Sequence, residues 1–221
     1  GLIRMGDNTL VLAQRLCEWC GHAPALEEDI ALANTALDLI GQAQLWLELA
    51  TEREGKGRTA DTLAYHRDAW DFRNLLLVEQ PNCDFAVTMI RQFLFDTWHL
   101  EMLKSLSAHD DAEISAIAQK SVKEVTYHRE RSTDTVIALG DGTEESNKRM
   151  QGALDRLFPY IGEMFDNDDC DLTDMAALRS AFDAHLSATL DDAMLTLPQS
   201  DFFHQGGKTG VRHTEHLGHM L

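Results

Sequence analysis

The sequence predicts an all-α protein built around four long helices, and three observations support this. Ala, Leu, Glu and Gln are abundant, and only four prolines occur in 221 residues, a composition that favours helix. Runs of β-branched residues, which would indicate strands, are few. Apolar residues recur at spacings of three and four along several long segments. No repeat or linker divides the chain, so we expect a single domain over residues 1–221.

The first two predicted helices are separated by a clear break. Asn8 is a suitable cap for a helix that runs to about Cys20, and the stretch from Gly21 to Pro24 ends it. A second helix begins after Pro24 with acidic residues in its first turn, where the helix dipole favours negative charge. It ends near the Gly-rich residues 54–58. Its predicted inward-facing residues are Leu26, Ile30, Ala33, Leu37, Ile40 and Leu47.

The later segments add two long helices and several shorter ones. A short helix should stop just before Pro81, and Asp84 should cap the long helix that follows. The predicted order is a short helix over 61–77, followed by two long helices over 85–106 and 111–139. Two medium helices over 144–165 and 173–189 come next, and a Gly- and His-rich tail covers 202–221.

Charge and hydropathy restrict the partners and the location. The formal net charge is −18, from 19 basic and 37 acidic side chains, so the surface repels nucleic acid and anionic lipid. We see no apolar stretch long enough to cross a membrane and no signal sequence. The cytoplasm is therefore the expected location.

The Cys-Glu-Trp-Cys stretch at Cys17 and Cys20 invites a redox or zinc interpretation. A zinc site would need a second close pair, and Cys83 and Cys170 stand alone. A thioredoxin-like motif would need a preceding strand, whereas the flanking LVLAQRL is typical of helix. We therefore expect two small apolar helix residues in a reducing compartment.

Polar side chains interrupt the apolar faces of the two long helices in the middle of the chain. A carboxylate there costs several kcal/mol unless it is satisfied, and Asp96 lies on such a face, three residues before His99. In VKEVTYHRE, residues 122–130, the inward pair is Val125 and His128. Glu124 is rotated by about 100° from Val125. The inward-facing residues expected for these two helices are Met89, Phe93, Asp96, Leu100, Leu103, Ile114, Ala118, Ser121, Val125 and His128.

Carboxylate-bridged di-iron proteins carry Glu-x-x-His on two helices, and this chain offers only fragments of that pattern. Glu18 lies among apolar residues late in the first helix, and the second helix offers Asp38 and Gln42. A lone helical His or carboxylate is more often structural than a ligand. The joint occurrence of such groups on several long helices is what favours a former metal site.

Several long stretches resemble a known family: LCEWCGHAP, DIALANTALDLIGQAQ, NLLLVEQPN, DTWH, EVTYHR and GGKTGVRHTEHLGHM. The chain is similar over its whole length to C subunits of the bacterial phenylacetyl-CoA epoxidase. The resemblance implies a ferritin-like four-helix bundle with additional flanking helices. It also implies a homologous catalytic A subunit that holds the di-iron centre and epoxidises the aromatic ring of phenylacetyl-CoA in aerobic phenylacetate catabolism.

The resemblance also places six former ligand positions in this chain. Three keep ligand chemistry, namely Glu18, Asp96 and His128, and three do not, namely Leu39, Gln42 and Val125. The positions of the two bridging carboxylates are occupied by Leu39 and Val125, whose side chains have no lone pairs to donate. The resemblance therefore implies a vestigial site, with no catalytic residue and no metal in this subunit.

These features lead to three hypotheses of function. The first is a non-catalytic subunit that scaffolds the A subunit and contacts other subunits of the complex, with residues 69–81 and 206–220 as candidate interfaces. In isolation such a chain could form a homodimer. The second is a metal-binding oxygenase with a shifted ligand set that adds Asp38, His99 and Glu124. The third is a storage or regulatory bundle, which would need the full six-ligand set that this sequence lacks.

Overall fold

A computed structural model describes all 221 residues and contains nine α-helices, four short 3-10 turns and no strand. The all-α prediction is therefore confirmed. None of the helices combines the length and apolarity needed to cross a lipid bilayer. The chain forms two compact units, residues 1–81 with 205–221 (unit 1) and residues 82–204 (unit 2). The single domain over residues 1–221 stays a prediction.

Unit 1 is built on a pair of packed helices, α1 (Leu2–Cys17) and α2 (Leu26–Glu54). Fully buried side chains such as Leu12 of α1 and Leu39 and Trp46 of α2 form its core. The shorter helices of this unit are α3 (Ala60–Tyr65), α4 (Leu76–Glu79) and α9 (Glu215–Met220).

The face of α2 that packs inward is not the predicted one. Helix α2 carries two apolar faces, and Leu32, Ala36 and Leu39 lie on the one that is buried. Of the predicted inward residues only Leu47 is buried, and Ala33 is half-buried. Leu26, Ile30, Leu37 and Ile40 are exposed, so that part of the prediction is wrong. Periodicity shows that a face is apolar but not which of two apolar faces meets the neighbouring helix.

Two helix boundaries in unit 1 also differ from the prediction. Helix α1 begins at Leu2, so Asn8 lies inside it, and its Oδ1 accepts a hydrogen bond from the backbone N–H of Leu75 at 2.8 Å. The single helix predicted over 61–77 is wrong. These residues instead form α3, then a 3-10 turn, then α4. The Asp68 side chain accepts a hydrogen bond from the backbone N–H of Trp70 and so caps the 3-10 turn, which separates the two helices.

The cysteines are exposed, and of the two expected to be helix residues only Cys17 is one. Cys17 is the last residue of α1 and Cys20 lies in the turn after it. Cys83 and Cys170 are also exposed, and all four are free thiols. Because the helix ends at Cys17, neither residue of the Cys-x-x-Cys stretch reaches the buried face of α1.

Unit 2 contains the two long helices whose faces were predicted correctly, α5 (Phe85–Leu106) and α6 (Ala112–Gly140). Asp84 and Asp111 cap them through side-chain oxygens, as expected for the first. All ten predicted inward residues of the two helices are buried. Helix α7 (Glu144–Leu157) ends earlier than predicted and two 3-10 turns follow it, and α8 (Arg179–Asp192) begins later than predicted.

A buried carboxylate holds the C-terminal tail in unit 1. Glu79 is fully buried and accepts hydrogen bonds from His213 Nδ1 at 2.6 Å, Asn74 Nδ2 at 2.9 Å, and the backbone N and Oγ1 of Thr214 at 2.7 Å each. His213 Nε2 lies 3.1 Å from the carbonyl oxygen of Phe72. Both ring nitrogens of His213 therefore lie within hydrogen-bond distance of an oxygen, and the side chain connects Glu79 to the backbone at Phe72.

The glycines of the tail allow its close approach to residues 73–76. A Cβ on Gly207 would lie 2.5 Å from the carbonyl oxygen of Asn74, and one on Gly210 would clash with the guanidinium of Arg73. Both segments proposed as interfaces therefore pack largely on each other. Trp70 and Val211 are the large apolar residues that they leave exposed.

We expect Glu79→Gln to lower the free energy of unfolding by about 2–4 kcal/mol, because the buried groups that donate to Glu79 lose a carboxylate oxygen that accepts their hydrogen bonds. Urea unfolding followed by circular dichroism measures this loss. The exposed Glu52→Gln serves as the matched control and should keep wild-type stability. Equal stability of the two variants would contradict a structural role for Glu79.

Candidate functional site

The predicted site residues are divided between the two units, and each group is described in its own unit. In unit 1, Leu39 and Gln42 are fully buried on the inward face of α2. Glu18 follows the last residue of α1, is exposed, and forms an ion pair with Arg15 at 2.8 Å. Asp38 is half-buried. Glu18 therefore does not share the buried interior with Leu39 and Gln42.

In unit 2, Asp96 is fully buried on α5 and is satisfied by neutral donors. Its Oδ1 accepts from Gln92 Nε2 at 2.7 Å and its Oδ2 from Ser132 Oγ at 2.9 Å. Burial raises the pKa of Asp96 to about 6, although His128, these hydrogen bonds and Arg131 act to lower it. Desolvation therefore outweighs the favourable contacts.

Helix α6 presents Val125 and His128 to the interior of unit 2, as the spacing predicted. Both side chains are buried, Val125 completely. His128 exerts the strongest of the electrostatic effects that lower the pKa of Asp96, so the two groups lie close enough to interact. Glu124 is half-buried on the flank of the helix, in keeping with its rotation away from Val125.

His99 is buried among aromatic rings. Its ring centroid is 5.0 Å from that of Phe95 and 6.4 Å from that of Trp98. Burial, with a smaller effect of His128, lowers the pKa of His99 to about 3, so the imidazole is neutral at physiological pH. Neither ring nitrogen has a hydrogen-bond partner within the protein.

The donor groups do not fit a di-iron centre. No three side chains of His, Cys, Asp or Glu come together in a way that could hold a metal ion. At the two positions that the resemblance assigns to bridging carboxylates, Leu39 and Val125 place hydrocarbon in the core. Bridged irons require carboxylate oxygens, and neither Leu39 in unit 1 nor Val125 in unit 2 supplies one.

Several buried charges were missed by the sequence reasoning. Asp7 is fully buried in α1 and is paired with Arg67, whose Nη1 lies 3.0 Å from Oδ2. Burial raises the pKa of Asp7 even so. Glu79 and its hydrogen bond with His213 were also missed. The partners are far apart in sequence, so spacing within one helix gives no signal for them.

Comparison with known proteins identifies the family. The family model described as "Phenylacetic acid catabolic protein" matches residues 1–221. The chain belongs to this family. It is 46% identical over 227 aligned residues to the C subunit of the 1,2-phenylacetyl-CoA epoxidase of Escherichia coli strain K12, an alignment that covers 99% of this chain and 91% of that protein. The resemblance inferred from the sequence motifs is thereby confirmed, and the all-α fold agrees with membership of the phenylacetic acid catabolic protein family.

The raised pKa of Asp96 predicts a pH-dependent stability. The folded protein binds the proton of the Asp96 carboxyl group more tightly than the unfolded chain does. The protonated carboxyl group therefore stabilises the fold below pH 4, and this contribution is lost as the pH rises through about 6. The shift from 3.8 to about 6 corresponds to about 3 kcal/mol. We expect the unfolding free energy of the wild type, relative to that of Asp96→Asn, to fall by about this amount between pH 4 and pH 7.

Urea unfolding at a series of pH values tests the Asp96 prediction. The exposed Asp134→Asn on α6 is the control, and its difference from the wild type should change little across the same range. A difference between the wild type and Asp96→Asn that stays constant with pH would show that Asp96 does not titrate there.

Proposed function

We propose that this chain is a non-catalytic structural subunit of a multicomponent phenylacetyl-CoA epoxidase. Its role is to scaffold and stabilise a catalytic A subunit, which holds the di-iron centre and epoxidises the ring of phenylacetyl-CoA. The name of the E. coli relative, a subunit of such an epoxidase, supports membership of a complex with other subunits. The acidic surface and the helices, none of which could span a membrane, accord with assembly in the cytoplasm.

The burial of Leu39 and Val125 is the observation that carries the proposal. Both side chains are completely enclosed, so neither is a surface substitution that leaves room for a replacement ligand. A helical protein that keeps its core while its bridging carboxylates become aliphatic retains packing surface but loses metal chemistry. Such a protein contributes to an assembly through its interfaces.

The alternative is a metal-binding oxygenase with a shifted ligand set, and buried His99 is the observation that favours it. A neutral imidazole without a protein partner is the form in which histidine binds metals. The other added ligands, Asp38 and Glu124, are half-buried. The structural proposal instead treats His99 as a core residue packed against aromatic rings.

Purification with and without the A subunit tests the proposal directly. We expect this chain to co-purify with A in a fixed ratio, and the isolated chain to carry background iron and show no oxygen-dependent turnover of phenylacetyl-CoA. Failure to associate with A would refute the scaffold. About two irons per isolated chain with unaided turnover would establish the oxygenase instead.

The variant His99→Leu separates the two functions. Because the imidazole makes no hydrogen bond within the protein, its removal leaves no protein group unsatisfied. We expect the complex that contains this variant to keep wild-type epoxidation, with circular dichroism confirming the fold. A folded variant whose complex loses both iron and activity would favour the ligand role.

A further inference from the structure

One face of α2 exposes large apolar side chains in a continuous stripe. Leu26, Ile30, Leu37 and Ile40 are 72%, 53%, 65% and 39% exposed, although all four lie on a well-packed helix. At 3.6 residues per turn they fall on the same side, along about 20 Å of the helix. We call these four residues the α2 stripe. Contiguous exposed apolar surface of this kind is typical of interaction sites.

Gly41 lies beside the α2 stripe and has no role within the chain. It is exposed in the interior of α2, and a Cβ added to it would meet nothing within 4 Å. Glycine destabilises a helix interior, so an unneeded one calls for an explanation outside the chain. A helix from a second molecule that approaches α2 closely at this position supplies it.

A shallow groove extends the apolar surface at the Ile40 end of the stripe. It has a volume of about 160 Å³ and lies between α2 and α3, with Ile40, Ala43, Ala60 and Tyr65 among its lining residues. Tyr65 is 68% exposed at its edge. The stripe and this groove together fit the apolar face of a helix with anchoring side chains at its end.

Charge decides between a second copy and a different partner. Helix α2 carries seven acidic side chains and one basic side chain, Arg53 in its last turn. The acids that flank the stripe along the same part of α2 are Glu27, which is exposed, and Asp29 and Asp38, which are half-buried. Two copies related by a two-fold axis would place acids against acids, which opposes self-association. A partner with basic side chains beside its apolar residues is complementary.

We propose that the α2 stripe with Gly41 is the docking surface for a helix of the catalytic A subunit, one whose apolar face is flanked by lysine and arginine. This inference rests on the proposed function, because it names the surface through which that scaffold acts. Burial of the four stripe residues supplies affinity, and the acidic border sets the orientation and speeds association.

Binding of this purified chain to immobilised A subunit tests the surface. We expect Leu37→Glu with Ile40→Glu to raise Kd at least tenfold, by placing charge in the centre of the interface. Leu197→Glu, an exposed apolar residue of unit 2 that is 51% exposed, is the control and should bind as the wild type does. The wild-type association rate should fall as salt is added.

A second pair of variants excludes misfolding as the cause of weakened binding to A. Gly41→Leu and Gly152→Leu each change an exposed helical glycine that has free space around its Cα. Gly152 lies on the polar helix α7. Both variants should leave the melting temperature of the isolated chain unchanged or raised. Only Gly41→Leu should weaken binding to A, since its side chain blocks close helix approach.

The outcomes distinguish this inference from the proposed function. If the wild type does not bind A, the proposed function fails. If the wild type binds A and the α2 variants bind equally well, the scaffold stands and this docking surface is wrong. If the wild type self-associates and the variants do not, while their affinity for A is unchanged, the stripe binds a second copy of this chain. The proposal that it binds A is then wrong.

Discussion

Burying a charged side chain in a helical protein costs free energy unless hydrogen bonds or opposite charges replace the lost water, and this requirement organises both units. In unit 1 the buried acids Asp7 and Glu79 are paired with Arg67 and His213. In unit 2 Asp96 is satisfied by an amide and a hydroxyl, and its pKa rises because these neutral donors do not fully replace water.

Under the proposed function, meeting the same requirement lets a helical protein keep its fold without a metal site. A buried carboxylate needs hydrogen-bond donors, and Gln92 and Ser132 provide them for Asp96. Leu39 and Val125, at the positions that the resemblance assigns to bridging carboxylates, carry no charge that needs a partner. Packing and short polar networks hold the interior of each unit.

The sequence predicted more of the helix packing in unit 2 than in unit 1. The faces of α5 and α6 and the cap at Asp84 follow from spacing and cap chemistry, which are local, and the structure agrees with them. The face of α2 was missed because two faces are apolar and only the contact with α1 selects between them. Glu79 and His213 meet across 134 positions of sequence, so no local pattern reveals that pair. The six positions assigned to a vestigial site came from family resemblance, and spacing alone would not have found Leu39 or Val125.

The dependence of Glu79 on Thr214 and His213 bears on how the polypeptide is made. Unit 2 is one continuous stretch of chain, whereas unit 1 is assembled from both ends of it. During translation the residues that complete the hydrogen bonds of Glu79 are made after the whole of unit 2. Until then Glu79, at the end of α4, lacks the three donors that His213 and Thr214 supply, so unit 1 completes its buried polar contacts only after unit 2 has been synthesised.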